Sequence, residues 1–131
     1  MAKIFDHEKL KVYQLSLDFI EWVGNFFSRI DKSINACDHL DRASTSITLN
    51  IAEGNGKYSP KDRCHYFDIS KGSALECSAC LDILVRRKKV ESVDIIKGKE
   101  MLIEIVSMII GLIKSNSDRL YEQSNDYSGE N

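Results

Sequence analysis

The sequence predicts an all-α protein, an antiparallel up-down four-helix bundle. In four segments the apolar residues recur at three- and four-residue steps, no segment shows the alternation of a strand, and the links are short. A length of 131 residues suits one domain with a single core. We predict the bundle over residues 1–115 and a disordered tail over 116–131, because that end is polar and acidic.

The first helix is predicted from about Glu8 to Ser28. It carries two neighbouring apolar stripes, one of Leu10, Tyr13, Leu17, Ile20, Gly24 and Phe27 and one of Val12, Leu15, Phe19, Trp22 and Phe26. Two stripes exceed what one buried seam needs, which predicts contact with another subunit. The second helix is expected from about Asp38, with its core face formed by Leu40, Ala43, Ile47 and Ile51. It should end at Gly54-Asn55-Gly56, where glycine can adopt the left-handed conformation.

The third helix has the clearest beginning. Ser59 is expected to cap it, Pro60 to occupy the first turn and Asp62 to complete a capping box. Its predicted core face is Phe67, Leu75, Ala79 and Leu84, and it ends at the basic run Arg86-Arg87-Lys88-Lys89. Ser92 is then expected to cap a fourth helix, from about Val93 to Leu112 or beyond, that is apolar over most of its circumference.

Composition limits the classes of function. The formal charge of −2 is not that of a dedicated nucleic-acid binder, so a polyanion would have to meet a local patch. No segment is long and apolar enough for a membrane span, and charges near the N-terminus argue against a signal peptide. We therefore expect a cytoplasmic protein whose four cysteines are reduced.

A polar stripe runs along the second helix beside its core face. Its members are Arg42, Ser46, Asn50 and Glu53, and Ser73 and Glu76 on the third helix are expected to join them. Such half-buried groups mostly fix helix register or a subunit interface, and we predict a structural polar network. A ligand or active site is the alternative.

Basic residues are concentrated in one half of the chain. Residues 57–99 hold ten bases and six acids, whereas residues 1–56 hold six bases and eight acids. Candidate phosphate contacts are Arg86, Arg87, Lys88 and Lys89, with Lys57, Lys61 and Arg63 as auxiliaries. The alternative for the basic run is solvation combined with compensation of the helix dipole.

Other constellations give weaker signals for chemistry. Cys77 and Cys80 lie within a predicted helix, away from the helix N-terminus that thioredoxin-like chemistry needs, and the spacing of Cys64 does not suit a zinc site. His65 and Asp68 are a possible acid/base pair of a small hydrolase, but no nucleophile accompanies them. We predict no catalytic residue, no metal and no cofactor.

Several strings resemble a known family. These are Leu10-Lys11-Val12-Tyr13-Gln14, Arg42-Ala43 with Ser46-Ile47, Asn50-Ile51-Ala52-Glu53-Gly54, and Gly72-Ser73 with Glu76. In order and spacing they are similar to the bacterial four-helix-bundle proteins of 23S rRNA intervening sequences. The resemblance implies a homopentamer with no known enzymatic activity or cofactor. It also implies distant kinship with accessory proteins of diversity-generating retroelements, which bind nucleic acid together with a reverse transcriptase.

Local charge and resemblance together predict a non-catalytic homo-oligomer that associates with RNA or other nucleic acid. Its expected partners are copies of itself, structured RNA and a nucleic-acid enzyme such as a reverse transcriptase. The alternative is a protein-interaction scaffold that binds no nucleic acid, which the net charge of −2 favours.

Overall fold

The computed structural model describes residues 2–31 and 34–129, with side chains as far as Ser117. A 3₁₀ turn (Asp6–Lys9) precedes α1 (Lys11–Phe27), α2 (Asn35–Gly56) and α3 (Pro60–Arg86), and a second 3₁₀ turn (Ser92–Ile95) leads into α4 (Ile96–Gly129). The described ranges contain no strand. The predicted all-α fold with four helices is therefore confirmed.

Contacts between neighbouring helices show the up-down order. Each helix lies beside two others, α1 and α3 both contacting α2 and α4. Antiparallel neighbours are joined by Ser16 with Thr48, Ser46 with Ser73, and Arg63 with Asn116. The side chain of Trp22 on α1 lies against Gly98 near the start of α4, which closes the four-helix arrangement.

The core is continuous along the bundle axis. Its fully buried large side chains are Phe19, Phe26, Leu40, Ile47, Ile51, Phe67, Leu81, Leu84, Ile105 and Ile109. The predicted core face of α2 is confirmed, since all four of its residues are buried. In α1 the stripe through Phe19 and Phe26 faces the core, whereas Leu17 of the other stripe is exposed.

The predicted core face of α3 is partly wrong. Phe67 and Leu84 are buried, but Leu75 and Ala79 are exposed. Ala74, Cys77 and Leu81 lie inside instead, because they continue the face of Phe67 and Leu84 at steps of three, four and seven residues. Leu75 lies one residue after Ala74, about 100° round the helix from that face. The surplus apolar residues of α3 therefore lie on the surface.

The start of α2 and the conformation at its end differ from the prediction. The helix begins at Asn35 rather than near Asp38, and Ala36 and Cys37 in its first turn are buried. It ends at Gly56, within the predicted Gly54-Asn55-Gly56, but no described glycine has the expected positive φ. Gly54 instead gives room to a neighbour, since a Cβ there would lie 2.9 Å from the ring of Phe67.

The start of α3 at Ser59 and Pro60 is confirmed, but among the described residues Asp62 does not return the second hydrogen bond of the predicted capping box. The Asp62 N–H donates to Ser59 Oγ at 3.1 Å, and Pro60 is the first helical residue. The start of α4 is corrected. Ser92 is not the cap, because it lies inside the 3₁₀ turn, where Glu91 N–H donates to Asp94 Oδ2 at 2.8 Å.

The backbone of α4 extends past the predicted boundary at residue 115. Asn116 is buried and contacts Arg63 of α3, so it belongs to the bundle. The side chains of 118–131 lie outside the described residues, and the tail expected there stays a prediction.

Candidate functional site

Three members of the predicted polar network meet between α2 and α3. The hydroxyls of Ser46 and Ser73 are hydrogen-bonded at 2.8 Å, and Asn50 Nδ2 donates to Ser46 O at 2.9 Å and to Ser46 Oγ at 3.0 Å. Ser73 is buried and the other two are half-buried. Since a one-turn slip between the helices would break the hydroxyl contact, these groups fix the register of the pair.

The other three members lie apart from this cluster. Glu53 forms an ion pair with Lys57 at 3.4 Å, and Glu76 lies 3.9 Å from His39. Arg42 is exposed and makes no hydrogen bond or ion pair with any residue that the structure describes. They therefore belong to the surface, where such pairs contribute little to stability.

Two further hydroxyl contacts join α2 to its neighbours α1 and α3. Thr48 Oγ1 donates to Ser16 Oγ at 2.9 Å, which joins α2 to α1, and Ser70 Oγ donates to the Ile47 carbonyl at 2.8 Å. All three hydroxyl residues are buried. The sequence signal for them is a Ser or Thr at a core position of an apolar stripe.

Arg63 spans three helices through its guanidinium group. It donates to Asn55 O at 2.5 Å, Lys57 O at 3.2 Å, Asn55 Oδ1 at 3.2 Å and Asn116 Oδ1 at 3.0 Å. The guanidinium also lies 5.9 Å from the centroid of the Phe67 ring. Arg63 thus supplies donors to the carbonyl end of α2, which helix geometry leaves unpaired.

Lys57 and Lys61 lie at the same end of the bundle as Arg63. Lys57 is engaged with Glu53 and lies 5.1 Å from the centroid of the Tyr66 ring. Lys61 is exposed, with no hydrogen bond or ion pair to the described residues. Of the three predicted auxiliaries, Lys61 alone presents an unengaged charge.

The basic run lies at the opposite end, where α3 ends. Lys88 has a φ of 59°, and Lys89 N–H donates to the Leu84 carbonyl at 3.0 Å. This is the left-handed helix ending usually made by glycine, here made by a lysine. Arg86, Arg87, Lys88 and Lys89 are all exposed, and none has an ion pair or hydrogen-bonded side chain among the described residues.

The two basic clusters are separate surfaces. Arg63 and Arg86 lie 23 residues apart on α3, a distance of about 35 Å at 1.5 Å per residue. Lys99, the other base near the run, is held by Asp82 at 2.8 Å and by Ser78 at 2.6 Å. Of the candidate phosphate contacts, four exposed and unpaired bases therefore lie at the turn between α3 and α4 (86–95, the α3–α4 turn), and only Lys61 lies at the other end.

Arg29 joins the α3–α4 turn, although no local sequence pattern indicates this. It follows α1, whose end meets the turn, and it lines a small cavity together with Lys89 and Asp94. Between Arg29 and Arg86 lie 56 residues, so only the folded bundle brings them together. A signal in the sequence would have been the antiparallel order itself, which places the end of the first helix beside the end of the third.

The fold and these surfaces can be compared with known proteins. A family model described as 23S rRNA-intervening sequence protein matches residues 8–111, most of the chain. The chain belongs to this family. A crystal structure of a protein of unknown function from the S23 ribosomal protein family of Bacteroides thetaiotaomicron VPI-5482 is also similar, with 25% identity and a TM-score of 0.72. The match covers 79% of this chain and 98% of that one, and the comparison with curated proteins found no match.

The cysteines and the His65–Asp68 pair considered above do not come together in one site. Cys77 and Cys80 lie within α3 and are buried, and burial raises the pKa of both thiols. Asp68 pairs with Lys71 at 3.4 Å, while His65 contacts the Tyr66 ring edge-on. Among the described residues there is no group of three or more potential ligands that could hold a metal ion, and none of the described helices could span a membrane.

Proposed function

We propose that the protein is a non-catalytic homo-oligomer, a pentameric ring, that associates with structured RNA or other nucleic acid through the α3–α4 turn. The observation that carries the proposal is the charge at this turn. Residues 86–97 hold five bases and two acids, and the four bases of the run have no partner in the described part of the chain. Exposed cations of this kind bind phosphates by displacing their counterions.

Repetition of the turn around a ring strengthens the proposal. A single turn offers four phosphate contacts, and a cyclic assembly places several such turns on one nucleic acid. The exposed apolar side chains of α3 and α4 favour assembly. Leu75 is 55% exposed and Ile103 71% exposed, on either side of a groove of about 300 Å³ between the two helices.

Assembly is tested by measuring the mass of the intact protein in solution. We expect about five times the 14.9 kDa of one chain. Ile103→Lys should lower the mass, because it places a charge in the apolar groove, whereas Glu104→Lys at the adjacent exposed position should leave it unchanged. A wild-type protein of monomeric mass would contradict the proposed ring.

Nucleic-acid association is tested by fluorescence anisotropy of a labelled structured RNA and a duplex DNA of equal length, at low and at physiological salt. Changing the four residues of the run to Gln should lower the slope of log affinity against log salt by about 3 per subunit engaged. The matched control changes four exposed cations at the other end of the bundle to Gln, namely Lys3, Lys9, Lys11 and Lys114. Equal effects of the two variants would show a response to net charge alone and would contradict a site at the turn.

A protein-interaction scaffold is the second candidate. It is favoured by the exposed apolar residues of α3 and α4 together with the formal charge of −2. Absence of RNA and DNA binding even at low salt, in a protein of oligomeric mass, would support this function in place of nucleic-acid association.

A further inference from the structure

A small cavity lies where the end of α1 meets the α3–α4 turn. Its volume is about 180 Å³, and its lining consists of Phe26, Arg29, Ile30, Lys89, Val90 and Asp94. An apolar cavity of about 150 Å³ holds one benzene ring, and drug-sized ligands need about 300 Å³ or more. This cavity therefore has room for a single ring.

The walls of the cavity divide into an apolar floor and a charged rim. Phe26 is buried and Ile30 and Val90 are half-buried, so the floor suits the face or edge of a planar ring. Arg29 and Lys89 are exposed, and neither side chain has a hydrogen bond or ion pair with the described residues. The rim can therefore bind an anion attached to the ring.

Asp94 adds a directional acceptor. Its Oδ2 accepts the Glu91 N–H at 2.8 Å, and this bond holds the carboxylate in place. Its other oxygen has no hydrogen bond within the described part of the chain. An ionised carboxylate only accepts, so the ring must bring an N–H donor.

We propose that this pocket takes the base of an unpaired cytosine, with the N4 amino group donating to Asp94 and the phosphate lying between Arg29 and Lys89. The inference rests on the nucleic-acid association proposed above and names what one part of that surface recognises. Cytosine has one ring and an amino donor, the pairing by which Asp and Glu read this base. Uracil places an acceptor, O4, at the same position, and purines bring a second ring.

Unpaired bases are available in the loops and single strands through which proteins read RNA sequence. A base inserted beside the basic run leaves its neighbouring phosphates within reach of the four cations of the run. The pocket thus adds base selection to a surface that otherwise recognises only phosphate.

Asp94→Asn gives the sharpest test, because it replaces an acceptor oxygen of the side chain by a donor nitrogen and keeps the size and shape of the side chain. The amide oxygen can still accept from the Glu91 N–H, and the amide nitrogen then donates into the pocket. The variant should therefore prefer uracil to cytosine. Asp62→Asn, at the far end of α3, is the matched control and should leave the preference unchanged.

The experiment is an NMR titration of the full-length protein with CMP, UMP, AMP and inorganic phosphate. We expect CMP to shift the resonances of Ile30 and Val90, with an affinity about tenfold above that of UMP. In Asp94→Asn the order of CMP and UMP should reverse. The proposal is overturned if CMP binds no more tightly than UMP or inorganic phosphate, or if Asp94→Asn leaves the order of CMP and UMP unchanged.

The same titrations separate this inference from the proposed function. If structured RNA binds in the anisotropy assay but CMP does not shift the pocket, the cytosine pocket is wrong and nucleic-acid association stands. If CMP binds in the pocket but no RNA or DNA binds, the protein has a nucleotide site, which overturns both the association and the unpaired-base role.

Discussion

Replacing Arg63 by Ala tests whether this side chain holds the bundle together at the end of α2. Its guanidinium donates four hydrogen bonds to acceptors on Asn55, Lys57 and Asn116, which lie at the α2 end and on α4. Truncation removes all four at once. The three acceptors near the α2 end can accept hydrogen bonds from water in place of Arg63. Asn116 is 2% exposed, so its Oδ1 would be left without a donor.

The expected loss follows from these contacts. A buried acceptor left without a donor costs about 1–3 kcal/mol, and the exchange of the other bonds for water adds about 1 kcal/mol. We therefore expect Arg63→Ala to lower the free energy of unfolding by about 2–4 kcal/mol. For a domain of this size that corresponds to a fall in Tm of about 10 °C.

The assay is urea unfolding of the wild type, Arg63→Ala, Asn116→Ala and the double variant. Lys61→Ala is the control, since Lys61 lies on the same turn of α3, is exposed and should change stability by less than about 0.5 kcal/mol. The cycle should give a coupling between Arg63 and Asn116 of about 1 kcal/mol or more. A loss no larger than that of Lys61→Ala, or a coupling near zero, would refute the role assigned to Arg63.

Three other substitutions or reactions test neighbouring features. Gly98→Ala should lower the free energy of unfolding in urea by about 1–3 kcal/mol, because its Cβ would lie 2.5 Å from Trp22 Cη2. The control is Gly24→Ala, whose Cβ would meet no atom within 4 Å and which should raise the free energy of unfolding by about 0.5–1 kcal/mol. Equal effects of the two variants would contradict the contact between Gly98 and Trp22. Lys88→Gly should raise the free energy of unfolding by about 1 kcal/mol, because glycine adopts the left-handed conformation without strain. The same variant should lower the slope of log RNA affinity against log salt by about 1. A fall in the free energy of unfolding would show that the backbone at Lys88 is unstrained. Cys77 should not react with a thiol reagent at pH 8 in the folded protein, since burial raises the pKa of the thiol and blocks access; labelling as fast as in urea would contradict its burial.

The features that could be predicted from the sequence depend on residues that are close together along the chain or regularly spaced in it. The beginning of α3 depends on Ser59 and Pro60, which act within one turn, and the core face of α2 depends on a regular apolar spacing. The hydrogen bond between Ser46 and Ser73 was also predictable, because both residues lie at polar positions beside the core.

What could not be predicted depends on contacts between distant segments. Gly54 was expected to end α2 in a left-handed conformation, but its conformation is helical and its small size makes room for Phe67 of α3. Arg63 has the sequence signature of any surface cation, and its acceptors on α2 and α4 become neighbours only when the helices assemble. Arg29 reaches the α3–α4 turn for the same reason.

The difference between the two ends of α3 has a consequence for any closed ring of this protein. Cyclic symmetry gives every copy the same direction along the ring axis, so in a ring whose axis runs along α3 all α3–α4 turns lie on one side and all Arg63 side chains on the other. The two sides of such a ring differ: one carries the exposed and unpaired bases of the run, and the other carries Arg63, whose guanidinium is hydrogen-bonded within the bundle. Nucleic acid held on the first side leaves the second open, so the assembly could connect two different molecules without their competing for one surface.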